Sequence, residues 1–346
     1  MYTILCIMTC RHFLKKNELI TNVLGLREHK LRSNPLVSVE LTELRKKGIA
    51  AMITHLRLKA YGKINLALDV LGRRDNGYHD VRMIMQTVGL HDRIELYRTK
   101  EPGIRLETNL FYLPVNEDNL VYRAAKLLMD EFQITKGVAI DLHKFIPVAA
   151  GMAGGSSDAA AVLVGMNKMF RLGLSSEELM KRGVTLGADI PYCIMRGTAL
   201  AEGIGEKLTR LAPTPACHVL IAKPGIHVST KFVYTNLKAG ELKVHPDIDG
   251  QIQALEKRDL HQVAALMGNV LETVTIPAYP VIQQIKDQMM EYGALNAMMS
   301  GSGPTVFGLF EREDKARKAC QALKQSELAK QVYLTGMFHG GNRHEG

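Results

Sequence analysis

The sequence predicts an α+β protein, on three observations. From Leu56 onward, short stretches alternate apolar and polar residues, the period of a half-buried strand. Between them lie stretches whose apolar residues recur three and four apart, the period of an amphipathic helix. The two kinds do not alternate in the strand–helix–strand rhythm of a doubly wound parallel sheet. A chain of 346 residues suffices for two medium domains or one large two-lobed one.

In chain order, Leu56–Val70 reads as strands, Arg73–Gly77 as a polar turn, and Met83–Gln86 and Arg93–Tyr97 continue the β pattern. Asn119–Phe132 has helical spacing at Leu120, Ala124, Leu127 and Leu128, with Asp118 or Asn119 as N-cap. Val138–Phe145 is a strand that leads into a loop at Pro147, and Ser157–Phe170 has the composition of a buried helix. Ser175 with Glu178 three residues on is a capping box, which starts a helix running to about Leu186. Thr198–Ala201 and Val219–Lys223 read as strands, and Pro213 and Pro215 mark the boundary between lobes. Helices follow near Ile252–Glu256, Leu260–Leu271 and Tyr279–Glu291, then a strand at Thr305–Phe310, a helix at Asp314–Gln325 and a strand at Val332–Met337. The expected division is a basic, poorly ordered extension over 1–55, a first domain over 56–213 and a second over 214–346, with a frayed tail from Gly340.

Composition narrows the function. No apolar run approaches the roughly 18–20 residues that cross a bilayer, so no membrane role is expected. Of the net charge of +9, residues 1–51 hold nine Lys/Arg against four Glu, which leaves a mildly basic body suited to an anionic substrate. No arginine-rich arm, zinc-finger spacing or aromatic RNA-binding motif points to nucleic acid. Five irregularly spaced cysteines make neither a disulfide framework nor a zinc site, and a cytoplasmic setting fits them.

The strongest chemical signal is the loop of Pro147, Val148, Ala149, Ala150, Gly151, Met152, Ala153, Gly154, Gly155, Ser156 and Ser157. Gly151, Gly154 and Gly155 admit positive φ and carry no Cβ, so backbone amides can close around phosphate oxygens. Ser156 and Ser157 add hydroxyls, and Ser157 stands where a helix begins and presents its unpaired amides. No Gly-Lys-Ser/Thr follows, so this is not a Walker loop, nor is it a G-x-G-x-x-G dinucleotide fingerprint. Taken alone, the segment is equally a glycine turn that caps a helix.

Two further segments decide between these. Together with Lys59-Ala-Tyr-Gly-Lys-Ile-Asn-Leu66 and Met299-Ser-Gly-Ser-Gly-Pro-Thr305, the loop resembles the motif set of the GHMP kinases. The likeness runs from about Leu56 to Met337, and the departure is Tyr61-Gly62, where the family more often has Pro/Tyr-Ala before the lysine. Lys63–His79, which ends in Gly77-Tyr-His79 and continues to Gln86 and Leu90-His-Asp-Arg-Ile94, is similar to the branch whose substrate carries a CDP group, as are Gly187-Ala-Asp-Ile-Pro191 and Asn269-Val-Leu-Glu272.

The resemblance implies a two-lobed fold, with an N-terminal lobe like a ribosomal-protein domain that binds ATP and a C-terminal α/β sandwich lobe. It implies transfer of phosphate from ATP, with Mg²⁺, to the 2-hydroxyl of a CDP-bearing methylerythritol in the non-mevalonate route to isoprenoid precursors. Asp189 is then the general base and Lys63, close to it, keeps it ionised and polarises the hydroxyl. Asn65, on the same strand face as Lys63, binds the substrate or holds the lysine. Tyr78 stacks on the cytosine, His79 reads its edge, and Tyr234 or Phe232 closes the opposite wall. Mg²⁺ is expected on phosphates and water, with Ser157 a possible contact and Asp158 a helix-dipole partner. The expected partner is a small molecule, with no nucleic acid and no membrane, and the protein a monomer or homodimer. A kinase for another acceptor and a non-catalytic nucleotide- or RNA-binding relative are the competing readings; the Lys63/Asp189 pair speaks against the latter.

Overall fold

A computed structural model describes residues 53–75 and 77–339. The expected poorly ordered extension lies, up to residue 52, outside the described residues, as does the expected fraying from Gly340.

The backbone of the fold is one long antiparallel ribbon, β1 (His55–Arg73) and β2 (His79–Thr99), paired from His55↔Tyr97 to Arg73↔His79. The sequence reads as shorter strands because the register shifts at Tyr61/Lys63, Asn65/Ala67 and Val70/Gly72 interrupt the two-residue period. Such bulges bend a strand without ending it. The sheet grows to seven strands with β3 (Ile104–Thr108), β4 (Gly137–His143), β5 (Thr198–Gly203), β6 (Lys207–Arg210) and β8 (Gly268–Asn269). Its order is β3-β4-β2-β1-β8, with β5 pairing β2 and β6 pairing β5. β3 and β4 are parallel and are joined through helix α1 (Leu120–Glu131), a single strand–helix–strand unit within an otherwise mainly antiparallel sheet. A second, antiparallel sheet holds β7 (His218–Lys223), β9 (Asn296–Met299), β10 (Val306–Phe310) and β11 (Gln331–Gly336) in the order β11-β7-β10-β9.

Ten α-helices stand among the described residues. α1 is capped by Asn119, whose side chain accepts from Val121 N. α2 (Gly154–Phe170) lies against the ribbon so closely that a Cβ on Gly165 would come within 2.5 Å of Leu58 Cδ1 and 2.6 Å of Leu96 Cδ1. α3 (Ser176–Gly183) has both halves of the Ser175/Glu178 capping box but stops short of the expected Leu186. α4 (Ile190–Met195) has no counterpart in the sequence reading; Pro191 sits in its first turn, where its missing N–H has no intrahelical partner to lose.

In the second half α5 (Thr230–Asn236) and α8 (Glu272–Ala278) have no counterpart in the sequence reading. α6 (Ile248–Glu256) starts earlier than its pattern suggests. The expected helix Leu260–Leu271 is cut to α7 (Leu260–Ala265) because Gly268–Asn269 pairs with β1. α9 (Val281–Glu291) and α10 (Glu313–Gln325) match their apolar spacing. No helix among the described residues is long and apolar enough to cross a membrane.

Candidate active site

The loop between β4 and α2 differs from the expectation in two ways. The helix begins at Gly154 rather than at Ser157, and its first internal bond runs from Ser157 N to Ala153 O at 2.8 Å. The amides of Gly154, Gly155 and Ser156 therefore stand ahead of that bond, at the positive end of the helix. Of the three glycines only Gly151 has positive φ (72°); the other left-handed residues are Ala149 (49°) and Ala153 (54°). Each alanine there costs about 1–2 kcal/mol, which the surrounding contacts offset. Gly151 is required by packing as well: a Cβ on it would lie 2.1 Å from Ser300 O, while Ser300 Oγ donates to Gly151 O at 2.9 Å. The late motif Met299–Thr305 is thus seated directly against the glycine-rich loop. From the other side, Lys63 N donates to Met152 O at 3.1 Å.

Ser157 also needs correction. It is 2% exposed, and its hydroxyl donates to Tyr61 O at 2.5 Å with Cys193 Sγ 3.3 Å away. It fastens α2 to β1 and α4 instead of facing phosphate or metal. Ala150 and Met152 are buried as well, so only their backbone can meet a ligand. Pro147, Val148, Ala149, Gly154 and Gly155 line a hollow of about 180 Å³, with Leu120 and Asn119 of the start of α1 opposite.

Beneath this hollow lies a buried charge cluster that sequence reasoning missed. Lys144 Nζ bridges Asp92 and Asp158, 2.5 Å from Asp158 Oδ2, and Asp92 Oδ1 accepts from Phe145 N and, at 2.7 Å, from Ile146 N. Burial pulls the Lys144 ammonium down, but the two carboxylates outweigh it and hold it above the ordinary lysine value. Burial pushes the Asp158 carboxyl well up, against the pull of Lys144. Asp158, expected to complement the helix dipole, instead anchors Lys144. A signal was present: Leu90-His-Asp92 belongs to a stretch that carried the resemblance, and Lys144 directly precedes the loop.

Lys63 and Asn65 both lie on β1, and Lys63 Nζ donates to Asn65 Oδ1 at 2.8 Å. Asn65 is fully buried and its Nδ2 reaches Met83 Sδ at 3.2 Å, so its side chain holds the lysine and does not open onto a substrate. Asp189 occupies the N-cap of α4, yet its carboxylate accepts no hydrogen bond from the helix and has no ion pair among the described residues. Lys63 and Asp189, expected close to one another, make no ion pair among the described residues. Both charges nevertheless act on one atom, the Cys193 thiol, which burial and then Asp189 push up to about 12 while Lys63 pulls it down.

Tyr78, His79 and Tyr234 share a hollow of about 680 Å³. The His79 and Tyr234 rings are tilted by 42° with centroids 5.1 Å apart. Tyr234 lines this hollow and Phe232 does not. Burial and then the Asp189 charge raise the Tyr234 phenol to about 12. Burial, and then Arg73, lower His79 below the ordinary imidazole range. The wall continues toward the phosphate loop, since Thr230 Oγ1 lies 2.8 Å from Ser302 Oγ of the late glycine motif. The turn carrying Tyr78 is fixed by the Arg74–Asp80 ion pair and by Arg74 N donating to Tyr78 O at 2.8 Å. A larger hollow of about 810 Å³ lies elsewhere, between α10 and β11, and contains none of these residues.

A glycine-rich loop with free helix-start amides, an uncapped carboxylate and an aromatic pocket along one wall make up a candidate site, and its arrangement suits a small-molecule kinase. The family description "GHMP kinases N terminal domain" matches residues 119–197, and "GHMP kinases C terminal" matches residues 251–330. The chain belongs to the GHMP kinase family. Relatives within it bear a more particular name: 4-diphosphocytidyl-2-C-methyl-D-erythritol kinase of Lachnospira eligens is 62% identical over 283 residues, 82% of this chain and 98% of that one. The kinase of the same name from Lachnoclostridium phytofermentans is 58% identical over 287 residues, 83% of this chain and 99% of its own. A crystal structure of 4-(cytidine 5'-diphospho)-2C-methyl-D-erythritol kinase superposes with a TM-score of 0.72 at 31% identity, covering 83% of this chain and all of that one.

Proposed function

We propose that this chain transfers the γ-phosphate of ATP to the 2-hydroxyl of 4-diphosphocytidyl-2-C-methyl-D-erythritol, giving the 2-phosphate and ADP on the non-mevalonate route to isoprenoid precursors. The observation that carries the reading is Asp189: a carboxylate that caps no amide of its helix and has no ion pair among the described residues, and whose charge is felt both at the Cys193 thiol and at the Tyr234 phenol. In that role Asp189 takes the proton of the attacked hydroxyl, and Lys63, steadied by Asn65, favours the ionised oxygen. The amides at the start of α2 and the left-handed turns before them bind the triphosphate. Tyr78, His79 and Tyr234 hold the cytosine, a neutral His79 being able both to donate and to accept.

Among the described residues no group of three or more His, Cys, Asp or Glu could hold a metal ion. Asp158 is engaged by Lys144 and Ser157 by Tyr61, so Mg²⁺ would rest on phosphate oxygens and water. When bound it neutralises charge on the transferring phosphoryl group.

We read residues 56–213 as the catalytic domain and 214–346 as the second. In support, β1 to β6 precede the division and β7 and β9 to β11 follow it, with β8 crossing back. The three described cysteines are free, which supports a cytoplasmic setting.

The test is ADP release from ATP and Mg²⁺, with and without the CDP-methylerythritol, on wild type and Asp189→Ala. Turnover that requires this acceptor and falls by several orders of magnitude in the variant is expected. Turnover with homoserine or mevalonate and not with this acceptor would overturn the substrate, and unchanged turnover in the variant would overturn the mechanism.

A further inference from the structure

The pocket of Tyr78, His79 and Tyr234 carries two cations that the chemistry above leaves unused. Arg73 ends β1, and its cross-strand partner is His79 at the start of β2, so the two side chains leave the ribbon on the same face. Lys231 stands in the first turn of α5, three residues before Tyr234. Both line the hollow, and its lining includes no carboxylate.

The neighbouring arginines of the ribbon are compensated: Arg74 pairs with Asp80, and Arg82 with Asp249 and Glu202. The side chains of Arg73 and Lys231 make no hydrogen bond or ion pair among the described residues. Two uncompensated cations facing one hollow favour an anion between them, the more so because no desolvated acid competes for them. The charge of Arg73 is felt inside the pocket, where it adds to burial in lowering His79. A ligand seated on the His79 and Tyr234 rings and reaching toward Asp189 runs along the α5 wall, past Lys231, since Thr230 beside it touches Ser302.

We infer that Arg73 and Lys231 form the cationic pair that selects a nucleoside diphosphate over the bare nucleoside at this pocket. The inference rests on reading the pocket as the seat of the cytidine end of the substrate. It assigns the base to the aromatic residues and the diphosphate to these two side chains. Free pyrophosphate shares the anionic chemistry, and the base contacts distinguish it from the nucleotide.

The test is calorimetric titration of the full chain at about pH 8, where His79 is neutral in every variant, with CDP, cytidine and inorganic pyrophosphate. CDP should bind wild type more tightly than either fragment. Arg73→Gln or Lys231→Gln should weaken CDP about tenfold, the scale of one charge-assisted contact, and leave cytidine unchanged. Arg73→Lys should recover part of the loss, and the double variant should bind CDP no better than cytidine. Equal losses for CDP and cytidine, or no loss for either, would overturn the inference while leaving the pocket's role intact. Wild type that binds neither ligand and does not turn over the CDP-methylerythritol would remove the reading of the pocket itself, and the inference with it.

Discussion

A carboxylate at a helix N-cap ordinarily accepts an amide of the first turn; Asp189 does not, and that leaves its charge for the cleft. Lys63 is held differently, through Asn65. If Asn65 acts by holding the ammonium and not by touching substrate, Asn65→Ala should lower kcat about tenfold with little change in KM. Asn65→Asp, which keeps an acceptor for Lys63, should retain most of the rate. His79 gives a pH signature. Its pKa is lowered in the folded protein, so the ring stays neutral as pH falls through the ordinary imidazole value of about 6.5. KM for the CDP-bearing substrate should stay flat across that range and rise only below it, and Arg73→Gln, which removes the second of the two causes, should move the rise to higher pH. At this scale the sequence set Tyr78 and His79 side by side, and the fold lines one hollow with both of them and Tyr234. The sequence was misleading for Ser157, because nothing in a sequence says whether a hydroxyl at a helix start turns outward to phosphate or inward to Tyr61.

Among the elements, the two glycine-rich loops act as one. Gly151→Ala combines a positive φ with a Cβ that would sit 2.1 Å from a backbone oxygen of the other loop. The variant should lose about 1–3 kcal/mol of stability and raise KM for ATP more than KM for the acceptor, read by thermal unfolding and by steady-state kinetics. The element boundaries missed in the sequence share physical causes. Glycine is a poor helix former, so Gly154–Gly155 read as loop although free amides at a helix start tolerate it. The short helices α4, α5 and α8, of six or seven residues, are too brief to show a period. α8 also carries Pro277.

For the molecule as a whole, the buried Asp92–Lys144–Asp158 cluster sets a stability term with an unusual sign. Asp158 has its folded-state pKa raised, so the unfolded chain gives up this proton first, and stability falls as pH rises above the ordinary carboxylate range. Asp158→Asn keeps an oxygen for Lys144 and removes the excess acid. It should therefore raise the melting temperature at neutral pH and change it little near about pH 3, below the ordinary carboxylate value. A lower melting temperature at neutral pH would mean that the charge itself is needed. The fold class was readable because strand and helix periods survive in long segments such as α1, α9 and α10. The order of strands was not, since β8 crosses back to β1 and β5 returns to β2 through pairings that leave no local trace.

Ser300 and Gly151, which clasp each other, are 149 positions apart in the chain. A ribosome releases Gly151 long before Ser300, so a nascent chain carries the phosphate loop for much of its synthesis without the strut that shapes it. Nucleotide can stabilise only what it binds, which makes ATP a ligand that discriminates finished copies from interrupted ones. Products cut short before residue 300 should gain no protection from it against proteolysis, whereas the complete chain should.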